Sequence, residues 1–522
     1  MSETVAPNLT NSELLESLFD KGVVHLENSE FLRQAPSPMP QDLDWDKVEG
    51  MLLGLAIGDS LGNTSESKST AMRRKGFGYI TEFLPNKLAD GKSAGVPSDD
   101  TQLAFWMLEQ TLEDGKLIPE NLAERFCSGR IFGIGQTVKK FLKSFKAGTP
   151  WYKAGPEMAG NGALMRIAPV IVPHLKNPST ELWADTVLAG MLTHNDRAST
   201  GSCLALVNLI WETLSLKSAP QPSWWLDTFC TTLRQVEGDT KYKSRTPFIP
   251  YEGTLWQFTE SNVCKALDEG LSVDEACNRW HSAAYLLETV PSVIYILCKR
   301  GDSFEEGVMS AVNNTWDNDT TAAIVGAVLG ALHGRKGIPE RWIDGLLGRT
   351  AEEDDGKVFE LISRAEDAWS ISPRKEKLPD VIDDFHRPYS FLSNFSRSEI
   401  EYDGFTYPTL EHAFQAAKCY REEDLARIQK TIRPDWARRA GKSAKLRPDW
   451  EVVKFDVMLQ LLRQKFAIPK LREKLLSTED KLLIEKNSHH DTIWGVDAET
   501  GEGENHLGKL LMQVRAEILR EQ

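Results

Sequence analysis

The sequence has no apolar run of about 18 residues, the length that a membrane-spanning helix needs. Its seven cysteines are odd in number and contain no Cys-x-x-Cys pair, a pattern that favours reduced, mostly buried thiols. The opening segment, MSETVAPNLTNSELLESLFDKG, is acidic and polar and lacks the basic-then-apolar order of a secretory signal. We therefore expect a cytoplasmic protein without a membrane partner.

Positive charge is scarce and unevenly distributed. The chain carries a net charge of −15. From Asp383 onward, 23 Lys and Arg residues oppose 24 Asp and Glu residues, so this part carries −1 and the remainder −14. An acidic body repels nucleic acid, whereas a nearly neutral part can bind it locally. The charge distribution favours two parts with different partners.

At 522 residues the chain exceeds the usual size of one domain. Residues 1–44 are predicted to form a lead-in, with a helix in NSELLESLFDKG and a proline-rich linker in RQAPSPMPQD. Helical periodicity dominates 45–370, which predicts an all-α domain. A second linker, 371–382, precedes a small α+β domain over 383–522. That domain has strand candidates in RSEIEYDGFTYP and helices in TLEHAFQAAKCYR and WEVVKFDVMLQLLRQKF.

Two predicted helices carry glycines at intervals of four residues. One set falls at 50, 54, 58 and 62, and the other at 326, 330 and 334. Glycine weakens a helix, so such ridges usually allow two backbones to approach closely. We predict that both helices are buried and central. Their ends, with Asp59 and Glu66 on one and Asp317 and Asp319 on the other, would then be able to meet.

Acidic clusters stand at two predicted helix starts, Ser98-Asp99-Asp100 and Asp317-x-Asp319-Thr320. Ser and Asp are favoured N-cap residues, so helix capping explains either cluster alone. Together they offer only oxygen ligands, which suit Mg²⁺ or Mn²⁺ better than zinc. If the fold brings the two clusters together, we predict that their carboxylates bind two ions and bridge them.

The segments GLAIGDSLGNTSE, PSDDTQLAF, GNGALMRIAPV, THNDRAST and WDNDTTAAIVGAVLGALHG resemble the ADP-ribosylglycohydrolase family in order and spacing. This all-α, dinuclear-metal family includes the dinitrogenase-reductase-activating enzyme. The resemblance implies metal ligands, catalytic acids and substrate contacts. The implied ligands are Ser98, Asp99, Asp100, Asp317, Asp319 and Thr320. Catalytic roles are implied for Glu66, Asp100 and Asp317, and substrate contacts for Asn161, Gly162, Met165, Arg166 and His194.

The segments RPYSFLSNFS, YPTLEHAFQAAKC, KLLIEKNSHHDTIWGV and GENHLGKLLMQVR resemble the NADAR (YbiA-like) family, which is associated with N-glycosidic bonds. Glu411, Gln415 and Lys418 share one helix face, where a solvated salt-bridge stripe is the simplest interpretation. Apolar flanks favour a buried lysine nucleophile with Glu411 moving protons. The resemblance implies Asp491 as a further catalytic residue, and we expect no cofactor in this domain. The expected substrate contacts are Asn394, Gln415, Trp494, Gly501 and Asn505.

The segment IRPDWARRAGKSAKLRPDW mixes arginines and lysines with tryptophans. Each RPDW predicts a helix start, and a solvated helix face is the default interpretation of the charge. Beside a base-processing pocket, the same cations favour ADP-ribosylated DNA or RNA as a partner.

Together the two resemblances predict a glycosidic hydrolase of two domains that acts on ADP-ribose conjugates. The NADAR-like domain would cleave ADP-ribose from guanine in nucleic acid, and the N-terminal domain would be a Mg²⁺-dependent ADP-ribosyl hydrolase. Two alternatives stay open. One is an N-glycosidase acting on ribosylated metabolites, such as riboflavin-pathway intermediates. The other is an ADP-ribose sensor with one inactive domain. The sequence does not define the oligomeric state.

Overall fold

Contacts divide the chain in the computed structural model into two units, Met1–Pro373 and Arg374–Gln522. The structure describes residues 9–66, 68–371, 381–383, 385, 389–487, 490–498 and 500–520. Most of the predicted linker 371–382 therefore lies outside the described residues. Across the described part of the chain, no helix is both long and apolar enough to cross a membrane. All seven cysteines have free thiols, and four of them are buried.

The N-terminal unit is built mainly of helices. They are α1 (Asn11–Asp20), α2 (Trp45–Gly62), α3 (Thr70–Phe77), α4 (Asp99–Asp114), α5 (Pro119–Cys127), α6 (Gln136–Lys146), α7 (Trp151–Ala154), α8 (Glu181–Met191), α9 (Arg197–Ser215), α10 (Pro222–Glu237), α11 (Leu255–Asp268), α12 (Val273–Trp280), α13 (Leu286–Arg300), α14 (Phe304–Asn314), α15 (Asn318–His333), α16 (Glu340–Gly345) and α17 (Lys357–Trp369). Two-residue strands form two antiparallel pairs, β1 (Pro85–Asn86) with β2 (Lys92–Ser93) and β3 (Tyr242–Lys243) with β4 (Glu252–Gly253). These pairs only close loops, so the all-α prediction is confirmed.

The lead-in packs against this unit. Helix α1 begins at a capping box formed by Thr10 and Glu13, and it buries three leucines. In the proline-rich stretch, the carbonyl of Gln34 accepts from the Trp183 indole at 2.7 Å, and that of Ser37 accepts from the Trp211 indole at 2.8 Å. Because these contacts hold the extended stretch on the helical core, it is an integral layer of the unit rather than a spacer.

The two glycine-bearing helices, α2 and α15, pack backbone against backbone at the centre of the unit. A Cβ built on Gly54 would lie 2.0 Å from the Gly326 carbonyl oxygen, and one built on Gly58 would lie 2.0 Å from that of Ala322. Nearly every residue of both helices is buried. The predicted close approach is confirmed. At one end of the pair, a Cβ on Gly62 would meet the Asp319 Cα at 2.4 Å, so the acidic helix ends do come together.

The C-terminal unit combines helices with short strand pairs around its own apolar core. Its elements are β5 (Val381–Ile382), β6 (Arg397–Tyr402), β7 (Phe405–Thr409), α18 (Leu410–Ala417), α19 (Glu422–Gln429), α20 (Pro434–Lys442), α21 (Trp450–Ala467), α22 (Pro469–Leu476), β8 (Leu482–Leu483), β9 (Lys486–Asn487), β10 (Val496–Asp497) and α23 (His506–Arg520). Strands β6 and β7 form the predicted hairpin, and β5 pairs with β8 in parallel. The hairpin turns at Asp403 and Gly404, both with positive φ, as a tight two-residue turn requires. Both RPDW segments start helices, α20 and α21, as predicted.

Replacing Gly54 with Ala should destabilise the N-terminal unit, because the new methyl group would overlap the backbone of Gly326. Overpacking of this kind costs about 1–3 kcal/mol of unfolding free energy. Gly76→Ala is a matched control, since a Cβ there would have no described atom within 4 Å and the residue is helical. It should stabilise by about 0.5–1 kcal/mol. Denaturant unfolding of the full chain measures both changes, and equal effects would contradict the packing argument.

Candidate active sites

The packing of α2 against α15 brings carboxylates from distant parts of the sequence into one cluster. Asp59, Asp100 and Asp319 each place one oxygen within 4.8 Å of the others, and Glu66, Asp317 and Asp319 do the same. Asp319 therefore belongs to both triads. Two overlapping sets of oxygen ligands joined by one carboxylate suit a pair of hard divalent cations.

Burial makes this cluster unfavourable without an opposite charge. Burial and mutual repulsion raise the pKa of Asp100 and of Asp319 well above the ordinary value. Burial, together with Asp317 and Asp59, raises the pKa of Glu66 to about 7. Within the described part of the chain, Oδ1 of Asp100 is buried without a hydrogen-bond partner. Since buried charges are normally paired or bound to a metal, these residues fit divalent cations.

Asp59 is fixed by the start of α4. Its carboxylate accepts the backbone N–H groups of Ser98, at 2.9 Å, and Thr101, at 3.1 Å, and the Asn63 side chain donates to it at 3.0 Å. Ser98 is the N-cap of α4, accepting the Asp100 N–H at 3.4 Å, and its hydroxyl donates to Asp100 Oδ2 at 3.0 Å. Ser98 therefore caps α4, as the capping interpretation predicts, and its hydroxyl also lies beside the carboxylates of the cluster.

Asp99 and Thr320, both implied as ligands, have different surroundings. Neither triad found among the described residues contains Asp99, whose carboxylate accepts the Gly135 N–H at 3.2 Å. The Thr320 hydroxyl faces the sulfur of Met165 at 3.9 Å and is near enough to Asp317 to lower the otherwise raised pKa of that carboxyl. Their roles as metal ligands stay predictions. Asp59, by contrast, was not among the predicted ligands although it occupies one triad.

A loop from 160 to 163 borders the cluster. The Asn161 side chain donates to Asp317 Oδ2 at 2.6 Å and to the Thr289 hydroxyl at 3.0 Å. Gly162 lies against the His194 ring, where a Cβ would come within 2.9 Å of Cε1. Burial lowers the pKa of His194 to about 3, so the ring is neutral. The glycine is required for this close approach, and the three predicted residues do lie together.

Arg166 is buried and supports this loop from within the protein. Its Nη2 donates to the Ala189 carbonyl at 2.9 Å and to the Thr193 hydroxyl at 2.8 Å, and its guanidinium lies 5.0 Å from the Phe126 ring centroid. Thr193 in turn hydrogen-bonds Nδ1 of His194 at 2.9 Å. These contacts indicate a positioning role, and direct substrate contact by Arg166 stays a prediction.

In the C-terminal unit, α18 presents Glu411, Gln415 and Lys418 together. The Gln415 amide donates to Glu411 Oε1 at 2.8 Å, and the Glu411 N–H donates to the Asn394 carbonyl at 3.0 Å. Burial raises the pKa of Glu411 and lowers that of Lys418. Both shifts favour the neutral acid and the neutral amine. The residues therefore lie in a partly dry environment rather than on a solvated stripe.

The environment of this helix face includes two residues that the sequence analysis did not assign to it. A Cβ on Gly441 would lie 1.9 Å from Gln415 Oε1 and 2.8 Å from Lys418 Cε, so only glycine fits. The charge of Arg438 helps to hold down the otherwise raised pKa of Glu411. Sequence reasoning placed Arg438 in a nucleic-acid-binding segment. The one local indication in the sequence of this close contact was the presence of a glycine, Gly441, inside the helix α20.

The remaining predicted residues of this unit differ in their surroundings. Asp491 lies near enough to raise the pKa of Glu411, and it caps a turn by accepting the Trp494 N–H at 2.9 Å. The Trp494 indole packs edge-on against Phe414, with centroids 5.2 Å apart. Asn505 bonds the backbone of Leu483 and Glu485 through both ends of its amide.

These contacts give Asn505 a structural role. Gly501 lies in an exposed turn with φ +73°. Substrate contacts by Gly501 and Asn505 stay predictions.

Comparison with known families decides the identity of the helical unit. The family model described as ADP-ribosylglycohydrolase matches residues 39–371, well over half of the chain. The chain belongs to the ADP-ribosylglycohydrolase family. A second model, described as NADAR domain, matches residues 382–519. The two family assignments made from the motifs are confirmed, in the predicted order.

Individual relatives match one domain or the other. ADP-ribosylarginine hydrolase Tri1 of Serratia proteamaculans is 27% identical over 343 residues, covering 61% of this chain and 80% of that protein. N-glycosidase YbiA of Shigella flexneri is 41% identical over 133 residues, covering 25% of this chain and 82% of that protein. Riboflavin biosynthesis protein PYRR of Zea mays is 36% identical over 180 residues, covering 30% of this chain and 29% of that protein. The chain is thus a two-domain enzyme that hydrolyses glycosyl bonds.

Asp319→Asn should abolish stabilisation of the ADP-ribosylglycohydrolase domain by divalent cations, because it removes the carboxylate shared by both triads. Saturation of the wild-type site at 100 times its dissociation constant adds about 2.7 kcal/mol of stability. Thermal unfolding in EDTA and in Mn²⁺ measures this difference. In EDTA the variant should be at least as stable as the wild type, since one repelling buried charge is lost.

Asp185→Asn serves as the control for a buried carboxylate outside the cluster. Asp185 pairs with His174 at 2.9 Å, so its loss should lower stability in both conditions and preserve the Mn²⁺ shift. An unchanged Mn²⁺ shift in Asp319→Asn would contradict the assignment of the cluster as a metal site.

Proposed function

We propose that the ADP-ribosylglycohydrolase domain removes ADP-ribose from arginine side chains with Mg²⁺ or Mn²⁺, bound as two ions. The observation that carries this proposal is the pair of carboxylate triads joined at Asp319. Asp59, Asp100, Asp317, Asp319 and Glu66 would hold the cations, whose charge would orient the ribose hydroxyls and stabilise the transition state. The printed name of the Tri1 relative supports arginine as the target.

The chain's own residues supply the rest of this site. Glu66 is the exposed member of its triad, so it faces an approaching substrate. Asn161 and Gly162 place a side-chain amide and a glycine backbone next to Asp317, an arrangement that suits the ribose and diphosphate of ADP-ribose. Cleavage of the glycosidic bond develops positive charge on the ribose ring, which neighbouring carboxylates stabilise.

For the NADAR domain, the proposed reaction is removal of ADP-ribose from guanine in DNA or RNA, with Lys418 as nucleophile. The Lys418 amine bonds to the anomeric carbon as the bond to the base breaks. Glu411 gives a proton to the departing base and then takes one from the attached amine. The bond between the anomeric carbon and the ring oxygen then breaks, and the ring oxygen takes up that proton as the open-chain Schiff base forms. Water hydrolyses this Schiff base, which releases ADP-ribose and restores the lysine. The partly buried Glu411–Gln415–Lys418 face supports this reaction, because desolvation favours the neutral amine, which is the reactive form.

Nucleic acid as the partner is supported by cations near this face. Arg439 and Lys442 on α20 are exposed, and Arg433 lies over the Trp436 ring, which is 45% exposed. Exposed aromatic and cationic groups together favour stacking on bases beside phosphates. Arg433 and Arg447 are each paired with a nearby aspartate, which limits their contribution.

A second candidate for the NADAR domain is cleavage of ribosylated metabolites, favoured by the likeness to a riboflavin biosynthesis protein. A sensing role would require one domain to lack activity. The intact triads and the intact Glu411–Lys418 pair favour catalysis in both domains.

The two activities should separate in a panel of arginine-, serine- and guanine-linked ADP-ribose and free ribosylated metabolites. Asp317→Ala and EDTA should each lower arginine-linked hydrolysis by about 100-fold or more and spare guanine-linked hydrolysis. Lys418→Ala should lower guanine-linked hydrolysis and spare arginine-linked hydrolysis. If both variants leave every rate unchanged, the site assignments are wrong. Within the guanine-linked set, KM for an oligonucleotide should rise steeply with salt, whereas KM for a mononucleoside should not.

Borohydride should trap a covalent adduct at Lys418 during guanine-linked turnover, detected by mass spectrometry of the digested chain. The rate should rise with pH as Lys418 loses its proton, at a pH below the ordinary lysine value because burial lowers its pKa. Lys418→Arg should yield no adduct, and exposed Lys430→Arg should behave as wild type. Wild-type turnover without any adduct would refute the covalent step.

A further inference from the structure

A cavity of about 290 Å³ opens in the ADP-ribosylglycohydrolase domain between the β3–β4 connection and the start of α13. Its lining includes polar, aromatic and oppositely charged side chains: Arg245, Thr246, Phe248, His281, Asn278 and Glu288. None of these residues belongs to the carboxylate triads. Phe248, which is 76% exposed, stands at the mouth.

A few hydrogen bonds connect residues next to the cavity lining with the carboxylate cluster. The Ser282 carbonyl, which follows His281, accepts the Asp317 N–H at 3.1 Å. Thr289, which follows Glu288, accepts from the Asn161 side chain, and this side chain also donates to Asp317. A group attached to the anomeric carbon at the cluster would therefore have this cavity as a neighbouring space.

Glu288 is the unusual residue of the cavity. Its side chain is 2% exposed, and within the described chain neither carboxylate oxygen has a close hydrogen-bond donor. The Arg245 guanidinium lines the same cavity, stacked 4.2 Å from the Tyr285 ring centroid. Burial raises the pKa of Glu288 to about 7, and the Arg245 charge and the nearby backbone N–H groups of Tyr285 and Ala283 hold it down in part. Glu288 occupies the first turn of α13, as Glu275 does in α12.

A buried carboxylate that has no close hydrogen-bond donor and lines a cavity is costly unless a ligand satisfies it. A planar guanidinium suits it best, because two parallel N–H groups match two carboxylate oxygens. Resting on the proposed function, we propose that Glu288 receives the guanidinium of the ADP-ribosylated arginine and so determines which leaving group this domain accepts. A neutral leaving group, such as the serine hydroxyl, would leave Glu288 unpaired.

The test compares Glu288→Gln with the wild type and with Glu275→Gln, a matched first-turn glutamate. For arginine-linked ADP-ribose, Glu288→Gln should raise KM by about tenfold or more, the loss expected for a charge-assisted hydrogen-bonded pair. It should change serine-linked hydrolysis by less than about twofold, and it should keep the thermal shift in Mn²⁺. Glu275→Gln should leave both substrates unaffected. Equal losses on both substrates, or no loss on either, would overturn the proposal.

Agmatine, a small guanidinium compound, provides a readout independent of turnover. Calorimetry in the presence of Mn²⁺ and ADP-ribose should detect agmatine binding to the wild type and at least about tenfold weaker binding to Glu288→Gln. If the wild type hydrolyses neither substrate, the proposed function fails, yet this titration still decides the role of Glu288. Equal agmatine affinity in the two proteins would refute that role.

Discussion

Direct backbone contact between α2 and α15 is the constraint on which the carboxylate cluster of the N-terminal unit depends. Because Gly54, Gly58 and Gly326 have no side chains, the two helices approach closely enough for Asp59 and Asp319 to share one cluster. The contact is apolar along most of its length, and at one end it brings the carboxylates of the two triads together. Packing energy along the helices thus opposes the repulsion among carboxylates at their end. The protein can hold cation ligands in place before any cation binds.

The sequence reveals features whose signal is local or periodic. Four-residue glycine spacing predicted the helix pair, and acids at helix starts predicted most of the cluster, because both follow from helix geometry. Asp59 was missed as a ligand because it lies inside an apolar helix, and its partner Ser98 is 39 residues away along the chain. Gly441 and Glu288 acquire meaning only from neighbours that the tertiary fold supplies. The proline-rich lead-in had the composition of a linker, yet long-range indole contacts fix it to the core.

The two domains address one class of bond with opposite electrostatics. The ADP-ribosylglycohydrolase domain gathers negative charge, which suits external cations as the electrophilic component. The NADAR domain holds a half-buried lysine beside a buried glutamate, and desolvation lowers the pKa of the lysine and raises that of the glutamate. This difference follows the charge distribution along the chain, in which nearly all the net negative charge lies before the NADAR domain. It also explains why metal removal can separate the two proposed activities within one polypeptide.

Asn161 occupies a special position in this arrangement, because its single amide group donates to both Asp317 and Thr289. One bond reaches the cluster that would hold the ribose, and the other reaches the helix turn that carries Glu288. A change at Asn161 would therefore disturb the ribose end and the leaving-group end together, and its effect would not report on either end alone. Glu288 belongs to neither carboxylate triad, although the charge of Asp317 contributes to its raised pKa. If Glu288 selects the leaving group as proposed, a substitution there would change the accepted target while leaving every proposed cation ligand in place.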